Sequence, residues 1–127
     1  MRVIALILLL GISTAQARDN GQWENSDPVV KKWYQELMRP DVPTLSCCGE
    51  SDAYWADEIH VRDGKTYATI TDTRDDKPLN RPHIPVGTEI EVPNEKLKWD
   101  RGNPTGHNVL FLSSSRAPFC LVQGSGT

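Results

Sequence analysis

The chain has 127 residues, 14 Lys and Arg against 17 Asp and Glu, and a formal net charge of −3. That length fits one domain with a modest core. The acidic balance excludes nucleic acid and anionic lipid as partners, because both require a basic surface that displaces counterions.

Arg2 precedes an unbroken apolar run over residues 3–10, and Ala15-Gln16-Ala17 puts small residues at the two positions a signal peptidase reads. The run is about half of the roughly 20 residues a spanning helix needs. Residues 1–17 are therefore expected to be a cleaved signal peptide, leaving no stable membrane insertion. The mature chain is expected in the periplasm or secreted, where thiols can oxidise. Residues 18–26 are polar around Trp23 and read as a flexible segment, and 27–127 as a single globular domain.

Asp27 is a good N-cap and Pro28 suits the first helical position, where its missing N–H costs nothing. Val30, Trp33, Tyr34, Leu37 and Met38 then recur at helical spacing, with Lys31, Lys32, Gln35, Glu36 and Arg39 opposite. The spacing predicts a helix over 27–39, ended by Pro40 through its restriction of Arg39. Beyond it the pattern turns short and strand-like. Asp63-Gly64 is a two-residue hairpin signal. It pairs Val61 with Thr66 and Ile59 with Ala68 on an inner face that Ile70 continues, and His60 with Tyr67 on the outer one.

Residues 71–82 are charged and hold two prolines, and so read as a long loop of a kind that often carries function. Further strands are predicted at 88–92, 108–112 and 119–122, with a turn or single helical twist at 93–96 and a strong turn at Asn103-Pro104-Thr105-Gly106. The expected class is mainly β with one N-terminal helix (α+β), a small antiparallel SH3-like β-barrel of about five strands over 50–123.

Three cysteines in an exported domain allow one intramolecular disulfide. One of the adjacent pair Cys47 and Cys48 is expected to bridge to Cys120, with Cys48 preferred, fastening the start of the β region to its last strand. Two sharper alternatives are a strained vicinal Cys47–Cys48 bridge and a thiol-based copper-binding or redox site on those two residues. The metal alternative is weakened by its histidines, His60, His83 and His107, which are scattered singly.

Taken together, the helix with Trp33-Tyr34 and Leu37, Ser46-Cys47-Cys48-Gly49 with Asp52, Val92-Pro93 with Lys96, the Asn103-Pro104-Thr105-Gly106 turn and the closing Phe119-Cys120 carry a resemblance. The chain resembles an uncharacterised family of small exported proteobacterial proteins with a Ser-Cys-Cys-x-x-x-Asp motif. Some similar sequences carry a further cysteine where this one has Ala53. The resemblance implies a compact extracytoplasmic domain and no particular activity.

The strongest polar cluster is Trp99-Asp100-Arg101-Gly102-Asn103 followed by His107, with Arg81 and His83 of the long loop as neighbours. An aromatic plane beside an acid, a forked donor, an amide and an imidazole suits stacking on and hydrogen-bonding a sugar or peptide. A cysteine nucleophile assembled from Cys48, Asp52 and His83 or His107 lacks any motif, and Ser113-Ser114-Ser115 lacks a nucleophile elbow. The expectation is a non-enzymatic binding or interaction module without a cofactor, for cell-wall glycan, peptide or an envelope protein.

Overall fold

The computed structural model describes residues 27–47 and 52–124. The predicted signal peptide, the 18–26 segment and Cys48 lie outside the described residues. Helix α1 (Pro28–Glu36) starts as expected, with Asp27 Oδ1 accepting the Val29 N–H at 2.8 Å. It ends three residues early, because Leu37 turns to extended geometry. The following segment folds back on itself: Arg39 N–H donates to Leu45 O and Cys47 N–H to Leu37 O. Satisfying those groups by strand-like pairing gives the buried Leu37 and Cys47 a common side, which a continued helix would not.

Seven strands follow: β1 (Ala53–Trp55), β2 (Glu58–Arg62), β3 (Lys65–Thr69), β4 (Glu89–Val92), β5 (Leu97–Trp99), β6 (Val109–Leu112) and β7 (Pro118–Gln123). They make a four-stranded sheet, β1-β6-β7-β5, and a three-stranded sheet, β2-β3-β4. The expectation of about five strands missed the two three-residue edge strands, β1 and β5. The class is mainly β with a helix, but no closed barrel is found among the described residues. Nor is the pairing wholly antiparallel, since β5 runs parallel to β7. That orientation follows from the connection: β6 lies between them in sequence and pairs β7 from the other side.

The β2–β3 hairpin has the predicted register, Ile59 with Ala68, His60 with Tyr67 and Val61 with Thr66. Asp63 and Gly64 both take positive φ, 51° and 73°, which a two-residue type I′ turn requires. The inner face is only partly inner: Ala68 and Ile70 are fully buried, whereas Val61 is 70% exposed.

The four-stranded sheet is covered on both faces. Ala53, Val109, Phe111, Cys120 and Val122 pack with Tyr34 and Leu37 of the α1 side. Tyr54, Leu110, Leu112 and Leu121 pack with Ala68, Ile70 and Val92 of the smaller sheet. A strand sandwiched in this way needs apolar residues at every position. Accordingly β6, Val-Leu-Phe-Leu, is buried along its whole length.

A disulfide joins Cys47 to Cys120 with an S–S distance of 2.00 Å and Cα atoms 5.7 Å apart. The preferred partner, Cys48, is corrected by one residue. Cys47 is the one turned into the α1-side core, fully buried beside Cys120.

Candidate functional site

The long 71–82 segment is an organised polar structure. It contains a one-turn helix α2 (Asp76–Leu79), capped by Asp75 and closed by Asn80 in the left-handed region. Asp72 sits at its start and Arg81 at its end, their side chains 0% and 1% exposed, joined by a 2.7 Å bond from Arg81 Nη1 to Asp72 Oδ2. Arg74 adds further bonds to Asp72, from Nη2 at 2.8 Å and from Nε. Burial pushes the Asp72 carboxyl up, but the hydrogen bonds from Arg74, Arg81 and two backbone N–H groups outweigh it. They hold the group well below the usual carboxylate range.

This pair holds the edge strand β1. Arg81 Nη1 donates to Ala53 O at 2.7 Å, the Trp55 N–H donates to Asp72 Oδ2 at 3.1 Å, and the Thr71 N–H donates to Trp55 O. Three residues are short for a strand, and β1 persists because β6 binds one of its sides and these groups the other. Tyr54 of β1 also donates through its hydroxyl to Pro82 O, beneath the Arg81 guanidinium.

Two imidazoles extend the network. His83 Nδ1 meets Asp76 Oδ2 at 2.7 Å, while Asp76 Oδ1 accepts from Arg81 Nε. His107 Nδ1 meets Asp57 Oδ2 at 2.7 Å, and the same carboxylate accepts the Asn108 N–H and the Thr71 hydroxyl. His107 lies flat on Trp55, ring centres 3.7 Å apart and 10° from parallel, and Arg74 lies over that indole at 3.9 Å. Groups that close to one ring centre cannot share a face, so the indole is sandwiched. The stack, and not its N–H, fixes the ring, since Trp55 Nε1 is buried without a hydrogen-bond partner.

The structure thus joins Arg81, His83 and His107 of the predicted site into one polar chain through Asp76, Asp72, Arg74 and Trp55. Trp99, Asp100 and Arg101 are elsewhere. Trp99 ends β5, and Trp55 ends β1, at the opposite edge of the same sheet. Three strand spacings separate those edges, roughly 14 Å. Asp100 is a bracket for its neighbours: Oδ2 accepts Trp33 Nε1 at 2.7 Å and Oδ1 the Gly102 N–H at 2.8 Å. Trp99 beside it is 75% exposed, and Arg101 is exposed as well.

Asn103 is a turn residue whose side-chain amide is engaged within the turn. It is buried, its Nδ2 donates to His107 O at 2.7 Å, and its Oδ1 accepts from the Thr105 N–H and hydroxyl. Asn103→Ala leaves the part-buried Thr105 N–H unpaired and the His107 carbonyl with only the Thr105 hydroxyl, and is expected to cost about 1–3 kcal/mol. A thermal melt indistinguishable from wild type would deny it that role.

Sequence reasoning missed Asp57, Asp72, Arg74, Asp76 and Trp55. The alternating charges Asp72, Arg74, Asp76 and Arg81 in a stretch that holds Pro78 and ends at Pro82 were the available signal. Asp57 lies 50 residues from His107 and offered none.

As for chemistry, a general base needs a nucleophile or substrate proton within reach. No Ser, Thr or Cys among the described residues is hydrogen-bonded to either imidazole. Nor do three His, Cys, Asp or Glu side chains among them form a metal-holding group. The Cys47–Cys120 bridge takes Cys47 out of thiol chemistry, so a Cys47–Cys48 dithiolate or vicinal bridge is not the arrangement found. No helix of the described residues is long and apolar enough to cross a membrane. Compared with known proteins, the chain matches no protein-family model, no curated protein and no solved structure.

Proposed function

We propose that the chain is an exported, disulfide-stabilised binding module without enzymatic activity, acting in the periplasm or outside the cell after cleavage behind Ala17. Its ligand face is Trp99 with Arg101, and its ligand a cell-wall glycan. The observation that carries this reading is the 75% exposure of Trp99 on a strand end whose next residue, Asp100, is pinned by the Trp33 indole and the Gly102 N–H. A large aromatic plane held mostly in water on a strand end contributes little to the stability of the free protein. It supplies a stacking surface at low entropic cost, and the exposed guanidinium beside it adds forked donors for hydroxyl or carboxyl groups.

Trp99→Ala and Arg101→Ala are therefore expected to leave stability within about 0.5 kcal/mol of wild type, as exposed side chains do. Each should abolish retention of the purified protein on insoluble cell-wall glycan. Retention that survives both substitutions overturns the assignment of this face. Retention of the wild type on envelope protein or peptide but not on glycan replaces the ligand class while keeping the face.

A further inference from the structure

We infer that two copies of this chain associate through the free edge of β2, pairing antiparallel about His60 and joining their three-stranded sheets into one of six strands. This rests on the β2 edge alone and is independent of the Trp99 reading.

Among the described residues strand β2 pairs only with β3, and four of its five residues are exposed. Its ladder is regular, with no register shift, and the strand contains neither Pro nor Lys. Edge strands in soluble proteins usually carry a bulge, a proline or charged side chains that oppose pairing with another chain; β2 has neither of the first two, and its charges, Glu58 and Arg62, are of opposite sign. The turn fixes which backbone groups are free. A two-residue hairpin closes on a doubly hydrogen-bonded pair, here Arg62 with Lys65, and such pairs alternate along the ladder. His60 and Glu58 therefore bond inward to β3, and the N–H and C=O groups of Ile59 and Val61 point out of the sheet.

An antiparallel partner must meet Ile59 and Val61 with its own outward-pointing groups. For a second copy, this permits a two-fold axis at Ile59, His60 or Val61. An axis at Ile59 sets Glu58 opposite His60 and pairs only three residues of β2. An axis at Val61 sets His60 opposite Arg62 and Ile59 opposite Asp63. Only the axis at His60 engages the whole strand. It places Glu58 opposite Arg62 twice, and Ile59 opposite Val61 twice, with four main-chain hydrogen bonds between the copies. Acid then faces base and apolar faces apolar on either side of the central His60, which meets its own copy across the axis.

The same register covers Val61, the 70% exposed residue that the monomer leaves on its inner face. In the monomer the Arg62 guanidinium lies inward, over the Tyr67 ring of β3 and bonded to Glu89 of β4, so its pairing with Glu58 of the second copy requires the side chain to swing out to the β2 edge. The pairing stops at Glu58, because Asp57 turns away into its bonds with His107 and Asn108.

A five-residue pairing is a small interface, so the association is weak and is to be measured by sedimentation velocity up to submillimolar concentration. The wild type is expected to dimerise reversibly. Glu58→Arg and Arg62→Glu each set like charges opposite one another at two points and should raise the dimer dissociation constant about tenfold or more. Mixed together, the two variants should pair with each other at about wild-type strength, since every contact is again acid to base. Val61→Pro removes an outward N–H that the monomer does not use and should also weaken the dimer, provided its circular dichroism stays native. Should Arg62→Glu fail to fold for loss of its Glu89 and Tyr67 contacts, Glu58→Arg and Val61→Pro carry the test alone. A wild type monomeric throughout overturns the inference. So does a dimer that the folded variants leave intact, or a mixture of the two folded charge variants that stays monomeric.

Discussion

Replacing Asp72 with Asn lowers folding stability at neutral pH by about 3–5 kcal/mol, the cost of leaving a buried cation without its partner. Arg81, with 1% of its side chain exposed, would retain Asp76 but lose the carboxylate on its other side. The damage would spread along β1, because Asp72 also takes the Trp55 N–H. Urea denaturation measures the loss, and a change under about 1 kcal/mol would show that the pair is not what holds this edge.

The same carboxylate sets an acid limb. Its folded-state pKa lies below that of the unfolded chain, where Asp titrates near 3.9. The unfolded state therefore binds the extra proton first. The contribution is whole above that value and is lost as pH falls toward the depressed one. Wild-type stability should decline from about pH 5 to about pH 2, and Asp72→Asn should decline less steeply over that window. Asp76, which burial raises but His83 and Arg81 lower to a net depressed value, adds in the same direction.

What the sequence revealed depended on whether the determining contact was local. The Asp27-Pro28 cap fixed the start of α1, and Asp63-Gly64 fixed the hairpin register, because both are decided within four residues. Strands β1 and β5 are too short for any alternation to be read. One is held by Asp72 and Arg81 and the other by parallel pairing to β7, contacts contributed from far along the chain. Of the seven proposed binding residues, Trp99 and Arg101 were legible as members of a polar cluster but not as exposed, since a core Trp99 and an Asp100–Arg101 pair fitted the sequence as well. His107 and Arg81 were recognised as polar candidates, but their partners Asp57 and Asp72 were not. The choice between Cys47 and Cys48 turned on backbone orientation. Cys47 faces the core, and composition cannot show that.

The bridge assignment has the second large consequence. Cys47→Ala with Cys120→Ala opens a loop spanning 73 positions, which on the chain-entropy model removes about 4 kcal/mol. Cys48→Ala, by contrast, should leave the Cys47–Cys120 bond intact, as peptide mapping without reduction would register. A bridge lost in Cys48→Ala and kept in Cys47→Ala would reverse the assignment. The position of the bond also determines where the loss falls. It fastens the segment after α1 to β7, inside the core that Tyr34 and Leu37 share with Phe111 and Val122. The opposite core, with Ala68, Ile70 and Val92, contains no covalent link. Opening the bond therefore frees the helical layer before the β2-β3-β4 sheet. Amide exchange of the Cys47→Ala/Cys120→Ala protein is expected to rise first over α1 and the 37–47 segment, while the amides of β3 stay protected until global unfolding. Uniform acceleration across both layers would mean that the two cores open together and that the bridge secures the whole domain at once.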